Sequence, residues 1–146
     1  MSHLTEDTDA LLRRLERVWN DQDIEKIASL FTDDCVYEDF AEGAHVTGPD
    51  GVRQFAAAVY ATMPDFSLTL RRIGTGPTHG VSEWTITATW QGDFEGVDRT
   101  GTRIEFSGLS MYEFEDGLIR RNSDCWDYTV LAKQMRVLPA RLREFL

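Results

Sequence analysis

The sequence predicts an α+β domain in which helices cover one face of a curled antiparallel sheet. Three observations predict it: helix-period apolar stripes up to Met63, period-2 strand patterns from Phe66 to Tyr128, and Gly-bearing breaks between those strands. Leu11, Leu15, Val18 and Trp19 recur at helical spacing behind TEDTD, whose threonine and carboxylates suit a helix start by capping and by dipole. Ile24, Ile27, Ala28 and Phe31 repeat the pattern after Asp23, predicting a short second helix that ends near Asp33-Asp34, an acidic run expected to be a solvated turn. CVYEDF reads as a strand because Val36 and Tyr37 favour extended backbone, and the AEGAHVTGPDG that follows is turn-rich. Pro49 and Gly51 precede a third helix with Val52, Phe55, Ala56, Val59 and Met63 on one face, and Pro64 ends it. FSLTLRRI, VSEWTITATW, TRIEFSGLSMYEF and LIRRNSDCWDY then read as strands separated by GTGPTHG, QGDFEGVDRTG and EDG. Val130, Leu131, Met135 and Leu138 predict a C-terminal helical turn or two, interrupted at Pro139.

A chain of 146 residues is the size of one domain, 1–146, with enough core to leave room for a cavity. The 15 Lys and Arg against 25 Asp and Glu give a formal charge of −10, which repels phosphate backbones and anionic lipid. Neither nucleic acid nor a membrane surface is an expected partner. The N-terminus lacks the basic start and apolar run of a signal peptide, and nothing approaches a span of roughly 20 apolar residues, so the expected location is the cytoplasm. Cys35 and Cys125 lie far apart outside any CxxC motif and are expected as small core hydrophobes. His3, His45 and His79 fall at no metal-ligand spacing and follow no nucleophile motif, so neither a metal nor another cofactor is expected.

A curled sheet with helices across its concave side leaves a cleft between the layers, a common place for a small-molecule site. In VSEWTITATW, Trp84, Ile86, Ala88 and Trp90 form the inward set, and Glu83, Thr85, Thr87 and Thr89 the outward one. In the last strand Asn122, Asp124 and Trp126 share a face, opposite Ser123, Cys125 and Asp127. A carboxylate and an amide beside an inward Trp make that strand the candidate for chemistry.

The stretches WNDQDIEKIASLFTDDCVYED, GPDGVRQF, PDF, EW, WQGDFEGVDRTGTRIEFSGL and EDGLIRRNSDCWDYTVLAKQMRVLP occur in an order and spacing that resembles the SnoaL-like polyketide cyclases. The resemblance runs from about Trp19 to Pro139. It implies the cone-shaped, cystatin-like fold of the nuclear transport factor 2-like superfamily, which also holds ketosteroid isomerase, limonene epoxide hydrolase and scytalone dehydratase. It implies a catalytic acid/base Asp within I-x-x-x-x-D-x-x-D, here Ile119 to Asp127, at Asp124. Tyr37 falls where the epoxide hydrolase has a Tyr near substrate, and Asp39 where the isomerase has its proton-shuttling Asp. The isomerase's oxyanion-holding pair falls at Leu15 and about Ser110, and the epoxide hydrolase's Arg and second Asp fall at Trp84 and Ile86. The cyclase's His and Gln map near Gly108, Ser110 and Tyr112.

The expected site therefore has Asp124, Asp39 and Tyr37 as catalytic groups. Trp19, Phe55, Met63, Trp84, Ile86, Gly108, Ser110, Tyr112, Asn122 and Trp126 are expected to line it. The four tryptophans also suit a core, and for Trp90 the core is the reading adopted. Asp39 sits at a strand end, where an exposed turn Asp fits as well, and Asp127 is read as a cap.

Two functions fit such a pocket. In one, Asp124 abstracts a proton from a carbon flanked by carbonyls in a small apolar, polyketide- or steroid-like compound, and the enolate closes a ring or shifts a double bond. In the other, the protein binds a small molecule without catalysis, and Asp124 anchors its polar tip. The β-branched, weakly charged outer face of VSEWTITATW is expected to pair sheet to sheet in a homodimer, as superfamily relatives commonly do.

Overall fold

The structure is a computed structural model that describes residues 2–145, with side chains described from Asp7 onward. Helices α1 (Ser2–Asn20), α2 (Ile24–Ser29) and α3 (Gly48–Thr62) precede the long strands β3 (Ser67–Thr75), β4 (His79–Thr89), β7 (Arg103–Glu115) and β8 (Leu118–Trp126). Strands β1 (Phe31–Asp39) and β2 (Ala44–Thr47) lie between α2 and α3, and α4 (Tyr128–Met135) and α5 (Ala140–Arg143) close the chain. Six strands form one curved sheet in the order β2-β1-β8-β7-β4-β3, with α1 packed on β3, α3 on β1 and α4 on β7. Among the described residues no helix is long and apolar enough to cross a membrane.

The sheet is mixed rather than wholly antiparallel, because β1 runs parallel to β8. A hairpin cannot join parallel neighbours, so α3 and the rest of the meander supply the crossover. Strand β2, antiparallel to β1, occupies the segment read as turn. As a half-exposed edge of four residues it owes its form to pairing rather than to an apolar pattern of its own. Helix α1 begins at Ser2, so TEDTD lies inside it rather than capping it; this stretch contains no Gly or Pro to break a helix. Helix α2 stops at Ser29, and Phe31, buried and paired with Ile119, already belongs to β1. Asp33 and Asp34 are exposed as expected, but on an irregular stretch of that strand rather than in a turn.

The break QGDFEGVDRTG folds into a small hairpin, β5 (Asp93–Phe94) and β6 (Val97–Asp98), with Phe94 buried against Trp90 and Tyr128. Trp90 is a core residue whose Nε1 donates to the Asp93 carbonyl, 3.3 Å away. Cys35 is buried, but Cys125 is exposed, since it points to the outer face of β8. Thr85 faces outward as expected and is nevertheless covered, accepting from Arg71 Nε at 2.8 Å.

Strands β7 and β8 meet in a two-residue turn whose Asp116 and Gly117 have φ of 53° and 77°, the conformation that continues a hairpin's twist. A register shift between Glu113 and Phe114 then sets Ser110 opposite Asp124 and Tyr112 opposite Asn122. The shift also exchanges the faces of β8. Ile119 points into the core, and the inward residues beyond the irregularity are Asn122, Asp124 and Trp126 rather than Arg121, Ser123 and Cys125.

Candidate functional site

Between the helices and the sheet lies a partly open pocket lined mainly by apolar and aromatic side chains with a few polar groups among them, the usual make-up of a small-molecule site. Aromatic side chains build its walls. Tyr37 lies against Phe55 with ring centroids 4.5 Å apart, and Phe106 lies 4.7 Å from Trp126 and edge-on to Trp84 at 6.0 Å. Trp19, Met63 and Phe66 join them from the helix side and Leu68, Leu70 and Ile86 from the sheet.

Asp124 is buried and lines this space, and among the described residues it accepts from three side chains. The Tyr37 hydroxyl donates to Oδ2 at 2.8 Å, and the Ser110 hydroxyl and Asn122 amide donate to Oδ1 at 2.5 and 2.7 Å. Each partner reaches Asp124 through the sheet: Ser110 across the β7–β8 ladder, Asn122 from two positions along β8, and Tyr37 from the parallel neighbour β1. Burial raises the Asp124 carboxyl to about 6 and the charge of Asp39 adds to this, while the three hydrogen bonds pull the other way. Burial also drives the Tyr37 hydroxyl well above its ordinary value, so it remains a donor. Such a carboxylate is ionised at neutral pH and matched to accepting a proton there.

Asp39 pairs with Asp124 in the β1–β8 ladder and also lines the pocket. Its oxygens accept from Trp126 Nε1 at 3.1 and 2.9 Å, and its Oδ1 also accepts from the backbone N–H of Glu42 at 2.9 Å. Burial raises its carboxyl despite those donors. The arrangement makes Asp39 an anchor for the Trp126 ring and for the turn into β2. Glu42, exposed over much of its surface, also lines the pocket, and desolvation there, with repulsion from Asp39 and Asp124 adding to it, raises its carboxyl to about 7. Among the described residues no group of three or more His, Cys, Asp or Glu side chains could hold a metal ion.

Twelve of the thirteen residues expected from sequence line this one pocket; Gly108 does not. Gly108 lies beneath the Trp84 ring, where a Cβ would stand 2.6 Å from Cζ2. Its part is to admit the indole against β7 rather than to touch a ligand. Sequence reading missed Glu42, for which a turn offers no pattern, and Phe106, Leu68 and Leu70, which strand parity with Ser110 and Phe66 already placed inside. Asp127 lies outside the pocket and caps α4, accepting from the Thr129 N–H at 2.9 Å and its hydroxyl at 2.6 Å. Asp127→Ala is expected to cost about 1 kcal/mol of stability while ligand binding stays within a few-fold of the parent, as thermal melts and titration would show.

Fold and site together define a curled-sheet α+β domain that encloses an apolar pocket around a hydrogen-bonded carboxylate. The SnoaL-like polyketide cyclase family matches residues 9–135, and the chain belongs to that family. Among solved structures, AclR from Streptomyces galilaeus, described as a candidate hydroxylase, is 24% identical with a TM-score of 0.80, over 97% of this chain and 99% of its own. IdmH from Streptomyces antibioticus, described as a candidate polyketide cyclase, is 21% identical with a TM-score of 0.77, over 88% and 98%. A protein from Catenulispora acidiphila with a ketosteroid isomerase-like fold, solved with trimethylamine, is 16% identical with a TM-score of 0.77, over 88% and 93%. No curated protein sequence matches the chain.

Proposed function

We propose that the protein is a cofactor-independent acid/base enzyme acting on a small apolar or polycyclic carbonyl compound, in the manner of polyketide cyclases or related isomerases. The observation that carries the reading is Asp124, a buried carboxylate at about 6 inside an aromatic pocket and held by three side-chain donors. Asp124 takes a proton from a carbon between carbonyls, and the delocalised anion either attacks a second carbonyl, whose new alkoxide oxygen takes the proton back from Asp124, or takes that proton back from Asp124 at another carbon. Once Oδ2 is protonated it accepts more weakly, and the Tyr37 hydroxyl is released toward the negative oxygen of the enolate. Only atoms of the substrate and these side chains take part, so the step balances without a co-reactant.

A binding protein of the same fold is the second reading, favoured by one observation. The hydroxyls of Tyr37 and Ser110 and one N–H of Asn122 point at Asp124, so neither hydroxyl is left to fix on a ligand in the cavity. Mass spectrometry of the protein purified under native conditions would reveal a co-purifying ligand and its chemical class. Turnover of that compound, or of aromatic polyketides and steroids that quench Trp84 or Trp126 fluorescence, supports the enzyme. Saturable quenching without any turnover leaves the binding protein, and no quenching at high micromolar concentration removes the ligand class.

The chain is further proposed to form a homodimer through the outer face of its sheet. Apolar exposure there is greatest not at the threonines of β4 but at Val81, Leu109 and Met111, where Val81 and Met111 are ladder partners. Sedimentation is expected to show a species of twice the 16.7 kDa chain mass, and only the single-chain mass at micromolar concentration would overturn this.

A further inference from the structure

The Trp84 indole Nε1 lies 2.8 Å from Ser110 Oγ, and both groups are buried. An indole N–H can only donate, so the Ser110 oxygen must accept there, and its single hydrogen is left to point at Asp124 Oδ1, 2.5 Å away. The Asn122 amide places a second hydrogen on the same oxygen at 2.7 Å. Both lone-pair directions of Oδ1 are therefore occupied, whereas among the described residues Oδ2 accepts only from Tyr37.

We propose that Trp84 is a positioning residue that acts on Asp124 through Ser110, locking the Ser110 hydroxyl onto Oδ1 so that Oδ2, beside Tyr37, is the oxygen that takes up a proton. Protonating Oδ1 would displace the hydrogen of Ser110 or Asn122. Ser110 cannot turn its hydrogen to Trp84, which offers no acceptor, and turning it to the Tyr112 hydroxyl, which is already bonded to Ser82 at 2.8 Å, would give up the shorter bond to a carboxylate. The proposal rests on the acid/base reading only for its effect on turnover; the direction of the donor chain is a property of the folded protein.

The titratable groups facing Asp124 are Tyr37 and Asp39 from β1, Glu42 from the turn after it, Tyr112 from β7 and Glu16 from α1. The lining residues of α3, β3 and β4 bring none. Trp84→Phe changes none of these groups, whereas Ser110→Ala also removes the Ser110 contact of the Tyr112 hydroxyl, so it is the Trp84→Phe shift compared between the two backgrounds that reads the donor chain.

The test is a ¹³C-carboxyl NMR titration of Asp124 in the wild type, Ser110→Ala, Trp84→Phe and the double variant. Ser110→Ala removes a donor to the charged form and is expected to raise the Asp124 midpoint by about one pH unit. Trp84→Phe keeps an aromatic ring and loses the N–H, so it should raise the midpoint less, and in the Ser110→Ala background it should add nothing. A Trp84→Phe shift of the same size in both backgrounds would show that Trp84 acts by packing, and would overturn the proposal. A Ser110→Ala midpoint equal to that of the wild type overturns it unaided, even where Trp84→Phe is too unstable to titrate. The titration needs no substrate, so a folded wild type that turns nothing over would sink the acid/base reading and leave this result standing.

Discussion

Asp124→Asn is expected to lower turnover by roughly 10²-fold or more while the melting temperature stays the same or rises. The amide oxygen can occupy the Oδ1 position and still accept from Ser110 and Asn122, but the side chain no longer takes a proton. The folded state holds the Asp124 proton to about 6 against an ordinary 3.8, so ionising this group opposes folding. The penalty is absent below 3.8, grows as the pH rises, and is complete above 6, where it is on the order of 3 kcal/mol. Replacing the charge with a neutral amide removes that penalty, and the gain in stability at neutral pH should shrink in acid. On the acid/base reading, turnover by the parent protein should fall as the pH drops through about 6, since the base must be ionised. Thermal melts of parent and variant at several pH values, together with the pH-rate profile, check both effects. Turnover by folded Asp124→Asn within a few-fold of the parent would remove Asp124 as the acid/base.

Gly108→Ala should destabilise the fold by about 1–3 kcal/mol and take the site apart at the same time. The new Cβ would lie 2.6 and 2.7 Å from two ring carbons of Trp84 and 2.8 Å from the Cys125 carbonyl oxygen. That carbonyl belongs to the β8 backbone, where Cys125 pairs with Leu109, so it cannot retreat without disturbing the ladder. The indole must move, and its bond to Ser110 goes with it, while the contact with the carbonyl remains as strain in the ladder. Gly74 in β3 is the control, since a Cβ there meets only a Val81 methyl at 3.6 Å and Ala should change stability by no more than about 0.5 kcal/mol. Thermal melts and near-ultraviolet circular dichroism would separate the two variants. Equal behaviour would show that the Trp84 ring is free to shift without loss.

The elements that show best in the sequence are those whose pattern is local. Helix α3 carries its apolar face at 3.6-residue spacing, and β4 alternates Trp84, Ile86 and Ala88 with polar partners, so burial could be read without knowing what covers them. Asp124 stood out because it shares a face with Asn122 and Trp126 inside a recognisable motif. Glu42 and β2 did not stand out, since a turn residue and a four-residue edge strand owe their places to neighbours distant in the chain.

By itself the sequence determined the α+β class and the inward face of β4, because hydrophobic periodicity acts over a few positions, while the central carboxylate was legible through the motif that resembles the family's. The tertiary structure alone decided that Tyr37, 87 residues away, donates to that carboxylate, because β1 joins β8 in parallel. It alone decided that the face of β8 changes between Ile119 and Asn122, because the register shift against β7 inserts an unpaired Arg120. Pairing partners and register are set by hydrogen bonds and burial between distant segments, and a one-residue slip reverses every side chain beyond it.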